Sequence, residues 1–422
     1  MGVTLRLLAL LFRKTDQLPV YLIHSVTERC NARCSHCFVY KDGKKDELTV
    51  AEIAAFCDTV GKNLYHVCLS GGEPFVRHDL AEIARCYFER TPARVIRIST
   101  NGYWPERIGA TTEQILRLRS CKNVVVEISF DGIGADHDAI RQLPGLFTKA
   151  VETFHKLKQL EAVYRHFRVN VNVTVCASNQ DRLPALYDYL TKTLGIQNIS
   201  MTLTRGRPED VSELGVDIGN YERFAKLVEE DLGEQRLAGY AGIARGFIVN
   251  AQNILARRRI LATIKDPRFR SRCYAGNLAG VLLSDGLLRP CELRPEVLGN
   301  IRDRPFPELW RSKEADTFKQ TCDHCFCTHE CFLASNIIFN KRHAPALVGL
   351  ASRMWLSSVW RRLVRQPAPA PVAPLPAAPS GLPSLTVLGE GGACCSSAPK
   401  PLVAADRAQP IESWWPSEAN GR

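Results

Sequence analysis

The chain has 422 residues, of which 45% are hydrophobic and 23% charged. That is enough for one large domain and a smaller one, and it excludes wholly disordered, collagen-like and coiled-coil chains. No apolar run approaches the ~18 residues of a membrane-spanning helix. The net charge of +11 describes either a basic solvated surface or an affinity for an acidic partner. No recognition helix, zinc finger or RNA-binding signature is present, so nucleic acid is not expected.

Residues 5–12 are apolar but short, lack a small-residue cleavage site and precede Arg13-Lys14. They read as a strand or surface helix rather than a signal peptide. From Pro19 to Arg205 strands and helices alternate. Strands are expected over 20–24, 65–69, 95–99, 124–129, 167–175 and 199–203. Helices are expected over 49–60, 79–90, 112–119, 147–160 and 183–193. Thr49 and Glu52 form a capping box at the first helix. Six strands separated by helices imply parallel pairing and right-handed crossovers. The core is therefore α/β, a barrel or part of one, with its chemistry on the loops after the strands. Residues 206–265 look helical and 270–340 are Cys-rich. An amphipathic basic helix over 344–365 places Leu347, Leu350, Met354, Trp355, Val359, Trp360 and Leu363 on its apolar side. Eleven of the 24 prolines fall in 366–422, which reads as a disordered tail.

The chain holds 16 Cys. Without a signal peptide the compartment is expected to be reducing, the cytoplasm, where clustered thiols hold metal or do redox chemistry. Cys57, Cys68, Cys86, Cys121 and Cys176 are isolated and read as small buried hydrophobes. Cys30, Cys34 and Cys37 follow the first strand with spacing C-x3-C-x2-C. Three thiolates on one loop can wrap a face of a cubane iron–sulfur cluster and leave one iron open to a chelating small molecule; a zinc knuckle or a chance spacing are the alternatives. Three further motifs end the next three strands. Ser70-Gly71-Gly72-Glu73-Pro74 offers close backbone approach to a ligand and an anion. Ser99-Thr100-Asn101-Gly102 offers hydroxyl and amide groups, and Ser129-Phe130-Asp131-Gly132 ends the fourth strand. Each alone is an ordinary turn; together they share one rim.

With these motifs in place, residues 17–205 resemble the radical SAM superfamily. The resemblance implies a partial (β/α)6 TIM-like barrel. It also implies that Cys30, Cys34 and Cys37 ligate a [4Fe-4S] cluster whose open iron chelates S-adenosylmethionine. Gly71, Gly72, Glu73 and Pro74 match the family motif that holds the methionyl amine. Ser99, Asn101 and Ser129 lie where ribose and carboxylate are contacted. Arg141 matches a segment common in peptide-modifying members, with a surface salt bridge as the alternative. The implied reaction is reductive cleavage of S-adenosylmethionine to a 5′-deoxyadenosyl radical, which abstracts hydrogen from a substrate. The resemblance assigns no catalytic residue of the protein itself.

The second Cys-rich region resembles the SPASM or shorter twitch extension of the same enzymes, through Cys273, Gly286, Cys291 and Cys322-x2-Cys325-x5-Cys331. Ser335 stands where a further Cys is expected, and Cys327 is additional. One auxiliary [4Fe-4S] cluster is expected, drawn from Cys273, Cys291 and some of Cys322, Cys325, Cys327 and Cys331, with a structural zinc as the alternative. The organisation is then a radical SAM core over 17–205, a helical connector over 206–265 and a SPASM/twitch-like domain over 266–340. The basic helix over 344–365 and the tail over 366–422 complete the chain. The expected substrate is a peptide or protein side chain, with a small molecule such as a carbohydrate or cofactor precursor, or a non-catalytic electron-transfer role, as alternatives. The expected reductant is a flavodoxin or ferredoxin, and peripheral membrane contact is not favoured.

Overall fold

A computed structural model of the chain describes residues 18–39, 46–240, 246–266, 273–322 and 325–364. The readings for 5–12 and for the tail, with Cys394 and Cys395, lie outside these residues. Six strands, β1 (Tyr21–Thr27), β2 (His66–Gly71), β3 (Val95–Thr100), β4 (Asn123–Ser129), β5 (Phe167–Val175) and β6 (Ile199–Leu203), pair in parallel in sequential order. The helices between them are α1 (Val50–Thr59), α2 (Leu80–Arg90), α3 (Pro105–Leu116), α4 (Ala135–Arg141), α5 (Leu146–Val163) and α6 (Leu183–Asp188). β6 and β1 are not paired, so the barrel is partial.

Alternation along the strands separates two environments. Leu22, Val67, Ile96, Ile98, Val124, Val126 and Val171 point to the helices and are fully buried. The opposite face is polar: Tyr21, Cys68, Arg97, Ser99, Glu127, Ser129, Asn170 and Asn172 line the inside. Register sets Ser99 beside Glu127 and Ser129 beside Asn172. A parallel barrel that served only as a core would fill this space with branched apolar side chains.

The capping box at α1 is present, Thr49 accepting from the Glu52 amide and Glu52 from the Thr49 amide. The helix expected over 112–119 instead runs Pro105–Leu116. Pro105 supplies the preset φ of a first helical position, and Thr112 is fully buried mid-helix rather than capping. After α6 the helix widens into a π turn over Tyr189–Thr193.

Beyond the barrel lie α7 (Ile218–Gly233) and α8 (Gly246–Lys265). The Cys-rich segment joins the same sheet: β7 (Ala279–Leu282) pairs in parallel with β1, and β8 (Leu287–Arg289) and β9 (Gly299–Asn300) continue antiparallel. Arg302 then pairs with Glu52 and Asp46 of the barrel. After α9 (Phe306–Trp310) and α10 (Lys313–Thr321) comes α11 (Glu330–Ile338), which reaches the open side. Glu330 accepts from Leu203 N at 2.9 Å and pairs with Arg205, at the end of β6. The last helix, α12 (Ala344–Leu363), packs on α8 and α11. It buries Leu347, Ala351, Met354 and Ser358, while Trp355 and Trp360, expected on the apolar packing side, are exposed. No helix among the described residues is long and apolar enough to cross a membrane.

Candidate functional site

The loop after β1 carries Cys30, Cys34 and Cys37, with Cys34 buried and the other two half-buried. Arg33 N and Ser35 N donate to Arg141 O and Ile140 O at 3.2 and 3.1 Å, which laces the loop to the end of α4. Ser35 Oγ donates to buried Glu213 at 2.5 Å. Burial pushes the Cys30 thiol up to about 11 and Cys34 to about 12, so metal binding here releases protons.

Gly71 and Gly72 do permit a close approach, but to backbone. A Cβ on Gly71, whose φ is +118°, would lie 2.1 Å from Thr27 O, and one on Gly72 would lie 2.2 Å from Arg29 O. Gly72 N and Glu73 N donate to those same carbonyls at 2.8 and 2.9 Å. The glycines therefore seat the run into the cysteine loop against β2. Glu73 is buried and holds the rim together. Its Oε1 accepts from Thr100 Oγ1 at 2.8 Å and from Phe75 N at 3.2 Å, and its Oε2 from Asn101 N at 2.7 Å. Burial pushes its carboxyl up to about 7 against the pull of those donors. Pro74 opens the short turn that Glu73 caps. Asn101 Nδ2 donates to Asn31 Oδ1 at 2.8 Å, joining the second rim motif to the cysteine loop. Ser99 and Ser129 are half-buried on the inner face.

Arg141 is not a surface residue. It is 7% exposed, and its Nε and Nη2 donate to Asp131 Oδ2 at 2.8 and 2.6 Å. Its Nη1 lies 3.9 Å from Cys34 Sγ. Asp131 also accepts from Thr174 N at 2.7 Å. Its burial alone would raise the carboxyl, but Arg141, His36 and His137 hold it below the usual range. Asp131 and Thr100 stand inside motifs visible in the sequence, and their placement after a strand was the available signal. Glu213 had none.

The second thiol group gathers Cys273, Cys291, Cys322, Cys325 and Cys327. Cys322 Sγ lies 3.9 Å from Cys273 O, and the charges of Cys273, Cys291 and Cys325 all act on Cys327. Burial pushes Cys291 to about 12 and Cys325 to about 11. Cys331 turns toward the barrel. Arg97 Nη2 donates to its sulfur at 3.2 Å, and despite burial Arg97, His329 and Arg205 draw it down to about 6. Among the described residues no three His, Cys, Asp or Glu side chains converge on one point, as a single bound ion requires; a cubane spreads its thiolates, one to an iron.

Both sites fit their groups. The first offers three thiols beside the Arg141 cation, with Glu28 Oε2, Asn31 Nδ2 and His36 Nδ1 buried and unpartnered alongside; the second offers more thiols than one cubane takes. Such a barrel, with one thiol loop after β1 and another thiol group on its sheet edge, defines an iron–sulfur enzyme of the half-barrel type. Residues 24–175 match the model of the radical SAM superfamily, and residues 273–332 that of an iron–sulfur cluster-binding domain, SPASM. The pre-heme d1 synthase of Dinoroseobacter shibae is 32% identical over 305 residues, 68% of this chain and 72% of that protein. The AdoMet-dependent heme synthase of Methanosarcina barkeri is 28% identical over 307 residues, 70% of this chain and 83% of that protein. The sporulation killing factor maturation protein of Bacillus subtilis is 24% identical, covering 74% of this chain and 69% of that protein. The solved structure of native anSMEcpe with bound AdoMet superposes with a TM-score of 0.53 at 15% identity, over 82% of this chain and 98% of that one. The chain belongs to the radical SAM superfamily and carries a SPASM-type auxiliary iron–sulfur domain. It is an enzyme that uses S-adenosylmethionine and [4Fe-4S] clusters.

Proposed function

We propose that the enzyme abstracts a hydrogen atom from a carboxylate-bearing tetrapyrrole or tetrapyrrole precursor. The observation that carries this reading is the pair of relatives named for heme and heme d1 synthesis, each matched over more than two thirds of both chains. When bound, the cofactors supply abstraction at an unactivated C–H bond.

The protein's own residues then have these roles. Cys30, Cys34 and Cys37 hold the first cluster, and the Arg141 guanidinium balances its negative charge. Gly71, Gly72, Glu73 and Pro74 fix the β2 end against the cysteine loop, presenting backbone to the methionyl end of the cofactor. Ser99, Asn101 and Ser129 face its ribose and carboxylate. Four of Cys273, Cys291, Cys322, Cys325 and Cys327 hold one auxiliary cluster. The core spans 17–205, the connector 206–265 and the auxiliary domain 266–340. A flavodoxin or ferredoxin in the cytoplasm supplies the electron.

Peptide modification is the second reading, favoured by the maturation protein among the relatives. The test is anaerobic assay of the reconstituted enzyme with dithionite and S-adenosylmethionine. Fe-coproporphyrin III and related propionate-bearing porphyrinoids should stimulate 5′-deoxyadenosine formation and lose mass themselves. No stimulation by any of them, with stimulation by a precursor peptide, would replace this reading with the second.

A further inference from the structure

The helix α12 is apolar on two opposite sides. One side, Leu347, Ala351, Met354 and Ser358, recurs with helical spacing and is buried against α8 and α11. The other is open. Val348 is 61%, Trp355 53%, Leu356 57% and Trp360 68% exposed. Four of the eleven exposed large hydrophobics among the described residues thus lie on this one helix, and a fifth, Val364, follows it directly. Scattered exposed apolar residues need no explanation; a row of them along one helix does.

The charge around this row has one sign. Residues 341–365 contain six Lys and Arg and no acid, and no Asp or Glu occurs between Glu330 and Glu390. Arg353, Lys341 and Arg342 are exposed. Two tryptophans and a leucine beside arginines, on a helix about 30 Å long, form the pattern of an interfacial helix. The indole rings sit at headgroup depth and the cations meet lipid phosphates. A second copy of the chain is a poor occupant, because docking two such helices would bring six positive charges against six. An apolar protein groove would use the tryptophans and leave the cations unanswered.

We propose that the outer face of α12 docks the enzyme on the surface of an anionic bilayer, with Trp355, Leu356 and Trp360 entering the headgroup region and Arg353 pairing with lipid phosphate. The inner face keeps the helix fixed to α8 and α11, so the whole enzyme lies along the membrane. Docking is peripheral and salt-sensitive, since attraction of the cations to an anionic surface falls off within a Debye length. The proposal is independent of the substrate.

The test is flotation of the full-length, cluster-loaded enzyme with vesicles of phosphatidylglycerol and phosphatidylcholine, against vesicles of phosphatidylcholine alone. The enzyme should float with the anionic vesicles and not with the neutral ones. The combined variant Trp355→Ser, Leu356→Ser, Trp360→Ser should lose flotation while retaining iron content and S-adenosylmethionine cleavage, because all three residues are more than half exposed and lie outside both cysteine groups. Arg353→Glu, which keeps the apolar face and reverses the charge, should weaken anionic binding about thirtyfold. Failure of the parent to float would overturn the proposal, as would flotation that both variants leave unchanged. Flotation only by a chain ending at Arg365 would also overturn it, showing that residues 366–422 cover the face.

Discussion

Arg97, on β3, donates through Nη2 to the sulfur of Cys331 at 3.2 Å. The same guanidinium reaches Tyr21 Oη at 3.2 Å and Glu127 at 3.6 Å, so Cys331 belongs to the inside of the barrel. Cys331 packs against the same buried cluster as Cys273, Cys291 and Cys322; with its sulfur held by Arg97, we propose that the auxiliary cluster draws on the other five thiols, one more than a cubane takes. Iron should therefore be about eight per chain in the parent, about four in the double variant Cys273→Ser, Cys291→Ser, which leaves only three of the five thiols, and unchanged in Cys331→Ser. Iron and sulfide analysis of the three proteins checks this. A Cys331→Ser protein holding only four irons would return Cys331 to the ligand set.

The Arg141–Asp131 pair predicts a large stability effect. Both partners are buried, and the other groups that hold Asp131 down, His36 and His137, are themselves pushed toward the neutral form by burial. Arg141→Met removes the cation and strands a buried carboxylate, a change that costs about 3–5 kcal/mol. Arg141→Lys keeps the charge but cannot donate twice from one plane and should fall between. Urea midpoints of the three proteins give the order. A Met variant as stable as the parent would mean that Asp131 is protonated or solvated there.

Much of this site could be read from the chain because its chemistry is local. The cysteine loop and the three rim motifs each fit within a few residues after a strand, and strand alternation with parallel pairing brings them to one end. The capping box at Thr49 and Glu52 is local in the same way. What could not be read depended on contacts far apart in sequence. Glu213 meets Ser35 across 178 positions. The Cys331 sulfur turns to Arg97 because α11 closes the open side of the barrel through Glu330 and Arg205. On α12 both sides are apolar, so periodicity identified a helix but not which side meets the core; packing on α8 chose the Leu347–Met354 side and left Trp355 and Trp360 outside. The glycines of the first rim motif offer backbone to a ligand in the sequence; their packing on Thr27 O and Arg29 O is a further contact that spacing alone does not disclose.

Gly72 carries a prediction of its own. An added methyl would meet Arg29 O at 2.2 Å, Arg29 C at 2.6 Å and Glu28 O at 2.8 Å. All three are main-chain atoms that cannot swing aside, and moving them moves the residue before Cys30. Gly72→Ala should destabilise the fold by about 1–3 kcal/mol and lower iron at the first cluster, with the auxiliary cluster retained. Gly233→Ala is the control, because nothing lies within 4 Å of an added methyl there and, as at Gly72, the backbone is outside the left-handed region. Equal iron contents in the two variants would show that the contact at Gly72 relaxes without disturbing the cysteine loop.

Glu73 makes stability depend on pH in an unusual direction. Its carboxyl is raised from 4.5 in the unfolded chain to about 7 in the folded protein, chiefly by burial. The folded state therefore binds the proton more tightly than the unfolded state. The stabilisation is fully present below pH 4.5 and is lost as pH rises through 7, a change of about 3 kcal/mol. Asp131, Glu213 and Glu292 run the other way, so the measurement is a difference. Glu73→Gln cannot ionise, and its amide must point one N–H at a donor, Asn101 N or Thr100 Oγ1. It should be less stable than the parent at pH 4.5, and the gap should narrow or reverse by pH 7.5 as the parent loses its proton. Urea titrations of both proteins across that range decide it. A gap that stays constant would mean that Glu73 is already ionised at pH 4.5, with the three donors from Phe75, Thr100 and Asn101 outweighing burial.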